Sequence, residues 1–226
     1  MKPTEGQVEV NFHVLRDRYL AAQLGGNRRG ALRILFDEGL SKGASVAQLQ
    51  RWVVQEAQRE IGRLWQEDRI SVAQEHMATA ISQVVLAHLY LEAAPSPSNG
   101  KKVVVACVEG ELHDFPARLT ADALDLAGFE VRFLGANVPT ESLLRAVTTE
   151  KPDLLALSIA MAFNIPALRS VVLRVRAQTH GALPIAVGGH ACTWSRSLAR
   201  EVGANLSGDD AEALVAAARR LLEVDR

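Results

Sequence analysis

From Asn11 to Ala93 apolar residues recur at three- and four-residue intervals, and no convincing run of alternating apolar and polar residues interrupts them. That spacing predicts four helices, at about Asn11–Leu24, Asn27–Leu40, Val46–Trp65 and Val72–Ala93. Gly25-Gly26 and Lys42-Gly43 read as stops, and Ser71 with Gln74 forms a capping box ahead of the last helix. Four helices joined by short loops imply an up-and-down bundle. Beyond APSPSNGK the pattern changes. Short β-rich runs at Lys102–Val108, Glu130–Leu134, Leu154–Ile159, Ile185–Val187 and Asn205–Ser207 alternate with helical stretches. The latter fall at Ala117–Ala127, Glu141–Thr148, Pro166–Gln178, Ser195–Glu201 and Asp210–Leu222. Runs such as VVVA and LLALSI are apolar on both faces, as a parallel sheet covered on both sides requires.

The expected fold is therefore α/β. An N-terminal four-helix bundle (residues 1–93) is joined by a linker (94–101) to a flavodoxin- or Rossmann-like doubly wound domain (102–226) with a five-stranded parallel sheet. Ligands of such sheets bind outside the carboxyl ends of the strands, at the topological switch point. Composition adds only exclusions. With 226 residues, 48% hydrophobic and 23% charged, and a formal net charge of −1, the chain is ordinary for a globular protein. No global field draws nucleic acid or an anionic membrane. Cys107 and Cys192 sit in apolar contexts and read as two buried thiols of a reducing compartment. MKPTEGQVEVNFHV lacks a signal-peptide core, and no stretch approaches the roughly 20 apolar residues of a membrane span. A cytoplasmic location is expected.

Candidate chemistry concentrates where the first strand ends, at Val108-Glu109-Gly110-Glu111-Leu112-His113-Asp114-Phe115-Pro116. A histidine two residues from a carboxylate can donate one ring N–H to it, which makes the other nitrogen the more basic metal ligand. A solvated loop histidine is the plain alternative. Ser158, at the end of the third strand, follows Pro116 after 41 intervening residues, and Gly188-Gly189, after the fourth strand, follows Ala160 after 27 intervening residues. Small residues at these strand ends leave a slot beside the sheet. In the helical half, Trp65 ends one helix and Glu75-His76 follows after nine intervening residues, early in the next. An aromatic plane with nearby donors and acceptors suits an adenine–ribose group. A core tryptophan beside a polar surface pair is the bland reading.

Asp-x-His-x-x-Gly, Ser-x-Leu and Gly-Gly at these separations form the cobalamin-binding signature, and the second half of the chain resembles it throughout. The resemblance implies a cobalamin (adenosylcobalamin or hydroxocobalamin) held between the two halves, with His113 as lower axial cobalt ligand. It makes Glu111 the hydrogen-bonded support of His113, and Ser158, Gly188 and Gly189 the lining of the nucleotide-tail pocket. Three positions depart from the signature: Glu111 replaces Asp, Pro116 replaces Gly and Ala160 replaces Leu. Proline suits the first turn of the next helix, but its bulk and missing N–H bear on the fit of the tail. IGRLWQEDRISVAQEHMATAI is similar to the upper-face motif of CarH-type adenosylcobalamin photoreceptors. By that resemblance Trp65 and Glu75 sense the upper ligand, and His76 becomes the cobalt ligand once light has broken the Co–C bond.

The remaining candidates are weaker. His190 could touch the cofactor, and Phe163 and Asn164 could border the tail pocket. His13, His88 and His180 lie in helical contexts, and Arg28, Arg29 and Arg33 form a basic face that is solvated or a docking surface. The expected function is a cobalamin-dependent regulatory sensor rather than an enzyme. It would act through a DNA-binding partner protein, as AerR-type antirepressors do, or as a homo-oligomer. About ten residues precede the first helix, too few for a helix-turn-helix domain, so neither direct DNA binding nor membrane attachment is expected. A corrinoid carrier of a methyltransferase system is the alternative, against which the Trp–Glu-His cap argues because a methyl carrier must open its upper face. A fold that binds haem or nothing is a third reading. A phosphoacceptor receiver is disfavoured, since Ala106-Cys107 carries no acidic pair.

Overall fold

The structure is a computed structural model that describes residues 10–208 and 210–224. It divides into two compact units, Met1–Ala93 and Ala94–Arg226. In the first, Asn11 caps α1 (Phe12–Leu24) by accepting from the Val14 N–H, and Asn27 caps α2 (Arg28–Asp37) by accepting from Gly30. A 3₁₀ turn at Leu40–Lys42 leads into α3 (Val46–Leu49), a π-helical turn over Gln50–Gln55 and α4 (Glu56–Gln66). These three segments form the single rod expected over Val46–Trp65, widened in its middle. The capping box of Ser71 and Gln74 opens α5 (Val72–Glu92), as the sequence implies. Helix α1 packs against α2, α4 and α5. Leu15, Tyr19, Leu35, Leu49, Ile61, Val85 and Leu89 fill the space between them.

The second unit alternates strands and helices. β1 (Lys102–Cys107), α6 (Phe115–Leu126), β2 (Glu130–Phe133), α7 (Thr140–Glu150), β3 (Leu154–Ser158) and α8 (Ile165–Gln178) come first. Then follow β4 (Ile185–Gly188), α9 (His190–Trp194), α10 (Leu198–Glu201), β5 (Leu206–Ser207) and α11 (Ala211–Leu221). All five strands are parallel, in the order β2-β1-β3-β4-β5. The pleat sends Val104, Ala106, Leu155, Leu157 and Val187 to the side covered by α7 and α8. Val103, Val105, Leu154, Ala156 and Ala186 face α6 and α11. Each strand is thus apolar on both sides, as its sequence requires. The chain leaves β1 toward one edge for β2 and returns past it to β3. The crevice between the carboxyl ends of β1 and β3 is therefore the switch point.

Several local expectations are corrected. The helix expected over Ser195–Glu201 is two short ones, because Ser195 takes an extended conformation (φ −126°, ψ 92°) and ends α9. His180 is not helical but sits left-handed (φ 51°) in the turn after α8. Cys192 is half-buried rather than buried. The stretch Ala94–Lys101 is mostly exposed but pinned to the second unit. Ser96 N–H donates to Leu126 O at 2.8 Å and Asn99 N–H to Gly128 O at 2.9 Å. Gly128 (φ 92°) permits this approach, since a Cβ there would lie 2.3 Å from Pro97 O. Residues 1–9, which carry most of the stretch examined for a signal peptide, lie outside the described residues. No helix among the described residues is long and apolar enough to cross a membrane.

Leu155, fully buried at the centre of the sheet, tests this packing. Leu155→Ala should lower the unfolding free energy of the second unit by about 2–5 kcal/mol in urea titrations followed by circular dichroism.

Candidate functional site

The loop after β1 is built around a carboxylate out of reach of water. Gly110 (φ 85°) turns the chain, its N–H donating to Asn137 Oδ1 at 2.8 Å. This brings the Glu111 side chain, with no exposed surface, into the switch-point crevice. Its Oε2 accepts from the Ala160 N–H at 2.9 Å, the Met161 N–H at 3.0 Å and Asn164 Nδ2 at 2.9 Å. Its Oε1 accepts from the His113 N–H at 3.0 Å and lies 2.6 Å from His113 Nδ1. Burial by itself would raise the carboxyl pKa. The bonds from the His113 ring, the Met161 and His113 N–H groups and the Asn164 amide outweigh it, bringing the value from 4.5 to about 2. An ionised carboxylate can only accept, so His113 Nδ1 carries a proton, and in the neutral ring Nε2 carries the lone pair. The ring is 47% exposed. Nε2 is the ring nitrogen that Glu111 does not engage, and an imidazole so oriented is a donor type suited to a metal held in a macrocycle.

Asn164 is the residue whose role the sequence concealed. It was expected beside a tail pocket, but its buried amide anchors Glu111. A Cβ on residue 110 would lie 2.9 Å from Asn164 Oδ1, so glycine is also what lets the amide close on the carboxylate. The available signal was slight: a lone amide in AMAFNIP at one strand end, opposite a carboxylate at another. Ala160 contributes its backbone N–H to the same carboxylate, a contact indifferent to side-chain size.

The strand register aligns Cys107 with Ser158 and Ser158 with Gly188, one row across the carboxyl end of the sheet. The pleat turns that row toward α6 and α11. Burial, followed by the nearby charges of Asp114 and Glu111, pushes the Cys107 thiol up to about 12, so it stays neutral. Ser158 is buried, and its hydroxyl oxygen makes no hydrogen bond of ordinary geometry, the adjoining thiol being only a weak partner. An orphaned hydroxyl costs about 1–3 kcal/mol, which a ligand's polar group would recover. Among the described residues a Cβ on Gly188 would meet nothing closer than Gly208 O at 3.9 Å, so glycine leaves space beside that hydroxyl. Gly189 differs: at φ 102° its Cβ would lie 2.4 Å from Ile159 O. Gly188 makes room and Gly189 makes the turn. Pro116 occupies the first turn of α6, where its missing N–H costs nothing. His190 opens α9, exposed, with its ring edge-on to Trp194 at 4.9 Å. These features fit the tail of a nucleotide-bearing cofactor: a slot with an unmet hydroxyl, beside a half-exposed imidazole with an oriented Nε2.

In the helical unit, Glu75 Oε2 lies 2.5 Å from His76 Nδ1 in the first turn of α5, and the His76 side chain is 74% exposed. Thr79 Oγ1 donates to the other carboxylate oxygen at 2.8 Å. Trp65 is half-buried at the end of α4, one tight turn earlier, with Asp68 left-handed (φ 57°). Glu75 and His76 are brought together directly. No hydrogen bond or ring contact ties Trp65 to them among the described residues.

Comparison with known proteins fits this geometry. Residues 101–218 match the model of the B12 binding domain family, and residues 15–90 match a second model of the same description. The chain belongs to the B12 binding domain family, and its cofactor is accordingly a cobalamin or related corrinoid. It is 34% identical to the HTH-type transcriptional repressor CarH of Myxococcus xanthus over 58% of its length, spanning 44% of that repressor. It is 28% identical to the dimethylamine corrinoid protein 1 of Methanosarcina acetivorans, over 72% of this chain and 77% of that one. The solved monomethylamine corrinoid protein of Methanosarcina barkeri shares its fold, with a TM-score of 0.80 at 18% identity over 93% of this chain and all of that one.

Two outcomes follow in the cobalamin-free protein and a third when cobalamin is added. A carboxyl held down to about 2 lends stability that is complete above its ordinary 4.5 and is lost as pH falls from there toward 2. The second unit should lose about 3 kcal/mol across that window in acid urea titrations, and Glu111→Gln should flatten this dependence. Gly189→Ala should cost at least about 2 kcal/mol of thermal stability, against about 1 kcal/mol or less for Gly188→Ala. Gly188→Ala should nonetheless weaken cobalamin binding, read by equilibrium dialysis.

Proposed function

We propose that this chain is a cobalamin-binding regulatory sensor, responsive to light through the Co–C bond, and not itself a catalyst. The observation that carries this reading is the Glu75–His76 pair. It repeats the build of Glu111–His113, a carboxylate engaging Nδ1 so that Nε2 is the nitrogen offered to a metal. A protein with two such histidines has an axial ligand for each of two cofactor states. In this reading His113 is the lower axial ligand, and Glu111 keeps its ring in the ligating tautomer. Ser158, Gly188 and Gly189 line the tail slot, and His190 borders it. Trp65 and Glu75 would face the group carried by the metal, and His76 would be a further residue able to hold the metal. An alkylcobalamin, when bound, supplies a cobalt–carbon bond that visible light breaks. The resulting change of ligand set biases a two-state arrangement of the protein. The output passes to a DNA-binding regulator or to a homo-oligomer, and the 34% identity with a transcriptional repressor supports that direction.

A corrinoid carrier of a methyltransferase system is the second reading. The match to a dimethylamine corrinoid protein over 77% of its length favours it. The two readings separate in one experiment. Adenosyl-, methyl- and hydroxocobalamin are added in the dark, and absorption spectra and hydrodynamic size are recorded before and after illumination. The sensor reading expects binding followed by a light-dependent change in both. Binding with no such change overturns the sensor reading and favours the carrier, and failure to bind any of the three overturns both. His113→Ala should abolish the histidine-ligated dark spectrum, whereas His76→Ala should alter the illuminated spectrum alone.

A further inference from the structure

A polar chain crosses the interior of the helical unit and ends on Glu75. Gln23 Nε2 of α1 lies 3.1 Å from Ala78 O, 2.7 Å from Ser82 Oγ and 3.0 Å from Gln58 Oε1, so its two protons are shared among three acceptors, while its Oε1 finds no partner among the described residues. Ser82 Oγ lies 3.1 Å from Gln58 Oε1 and 2.9 Å from the Tyr19 hydroxyl. Gln58 Nε2 lies 2.8 Å from Thr79 Oγ1, which lies 2.8 Å from Glu75 Oε1. Tyr19, Gln23 and Ser82 have no exposed surface. Groups so placed must be mutually satisfied or destabilise the bundle by about 1–3 kcal/mol each.

Hydrogen-bond direction along this chain is dictated by one backbone carbonyl. Ala78 O can only accept, so the Gln23 amide must present its nitrogen there. That nitrogen also faces Gln58, so Gln58 turns its oxygen toward Gln23 and its nitrogen toward Thr79. Thr79 Oγ1 accepts from Gln58 and gives its single proton to Glu75. Ser82 likewise gives its proton to Gln58 Oε1 and accepts from Tyr19. Every hydroxyl proton in the chain points toward the carboxylate. Aligned donors of this kind reinforce one another in a low-dielectric interior.

We propose that Gln58 and Thr79 are positioning residues that set the ring tautomer of His76 through Glu75. The Thr79 hydroxyl holds Glu75 Oε1, which aims Oε2 at His76 Nδ1 and keeps it an acceptor. The proton of the neutral ring is thereby placed on Nδ1, and Nε2 is left as the donor atom. The surface pair is thus prepared in the absence of cofactor by groups on α4 and α5, as Glu111 prepares His113 in the second unit. Its functional weight rests on the reading of His76 as an axial ligand.

The experiment uses the full, cobalamin-free chain with ¹⁵N-labelled histidine, at mildly alkaline pH where imidazole rings are neutral. In the wild type His76 should appear mainly as the Nδ1–H tautomer. In Thr79→Val and Gln58→Met, which keep side-chain size and remove the donors, the ratio of Nδ1–H to Nε2–H should fall several-fold. Val85→Ala, a cavity in the same core, should lower the melting temperature and leave the ratio unchanged. An unchanged His76 signal in folded Thr79→Val and Gln58→Met overturns the proposal, as does an equal shift in Val85→Ala. Because no cobalamin is present, a failure of cofactor binding or light response would leave this result standing, and the converse holds.

Discussion

A carboxylate with no access to water is tolerable only when both its oxygens are supplied with donors. Glu111 meets that condition by drawing on two loops: three donors come from the segment after β3 and two from His113 in its own loop. The switch-point crevice of a doubly wound sheet is otherwise a gap between two independent loops. Here an ion sits in it and binds both sides. The same bonds that hold the pKa of Glu111 near 2 fix the His113 ring in one orientation and one tautomer. Stability of the loop and readiness of the imidazole are therefore one property. Asn164, Gly110 and the two backbone N–H groups matter because they complete that shell.

The helical unit reaches a similar result by another route. Glu75 lies near the surface in the first turn of α5, where water competes for its oxygens. Orientation is what has to be supplied. The chain of amides and hydroxyls behind it does this from within the bundle, beginning at a main-chain carbonyl that admits one polarity. One histidine is set by a buried ion and the other by a buried relay. Both end with Nδ1 facing a carboxylate oxygen.

Much of this was legible from residue pattern. Helical and two-faced strand periodicities lie on either side of APSPSNGK, and they reappear as a helical unit and a five-stranded parallel sheet. The Ser71–Gln74 capping box and Pro116 in the first turn of α6 are local matters, and local sequence suffices for them. The separations joining His113, Ser158 and Gly188-Gly189 pointed to the strand ends, because parallel strands bring their carboxyl ends to one edge. The short α9 and α10, the left-handed His180 and the pinned linker were not legible. Each depends on which backbone groups happen to be in reach.

The division between the two kinds of information follows from the range of the forces involved. Sequence alone determined the elements, their order, the face each strand buries and the loop that carries His113. Those follow from periodicity and from turn chemistry over a few residues. Only the tertiary structure decided that Asn164 serves Glu111, that Gly188 makes room while Gly189 makes a turn, and that Thr79 and Gln58 stand behind Glu75. These are hydrogen bonds and close approaches between segments as many as 53 residues apart. A hydrogen bond is satisfied or lost over a few tenths of an ångström, a tolerance that residue spacing does not encode.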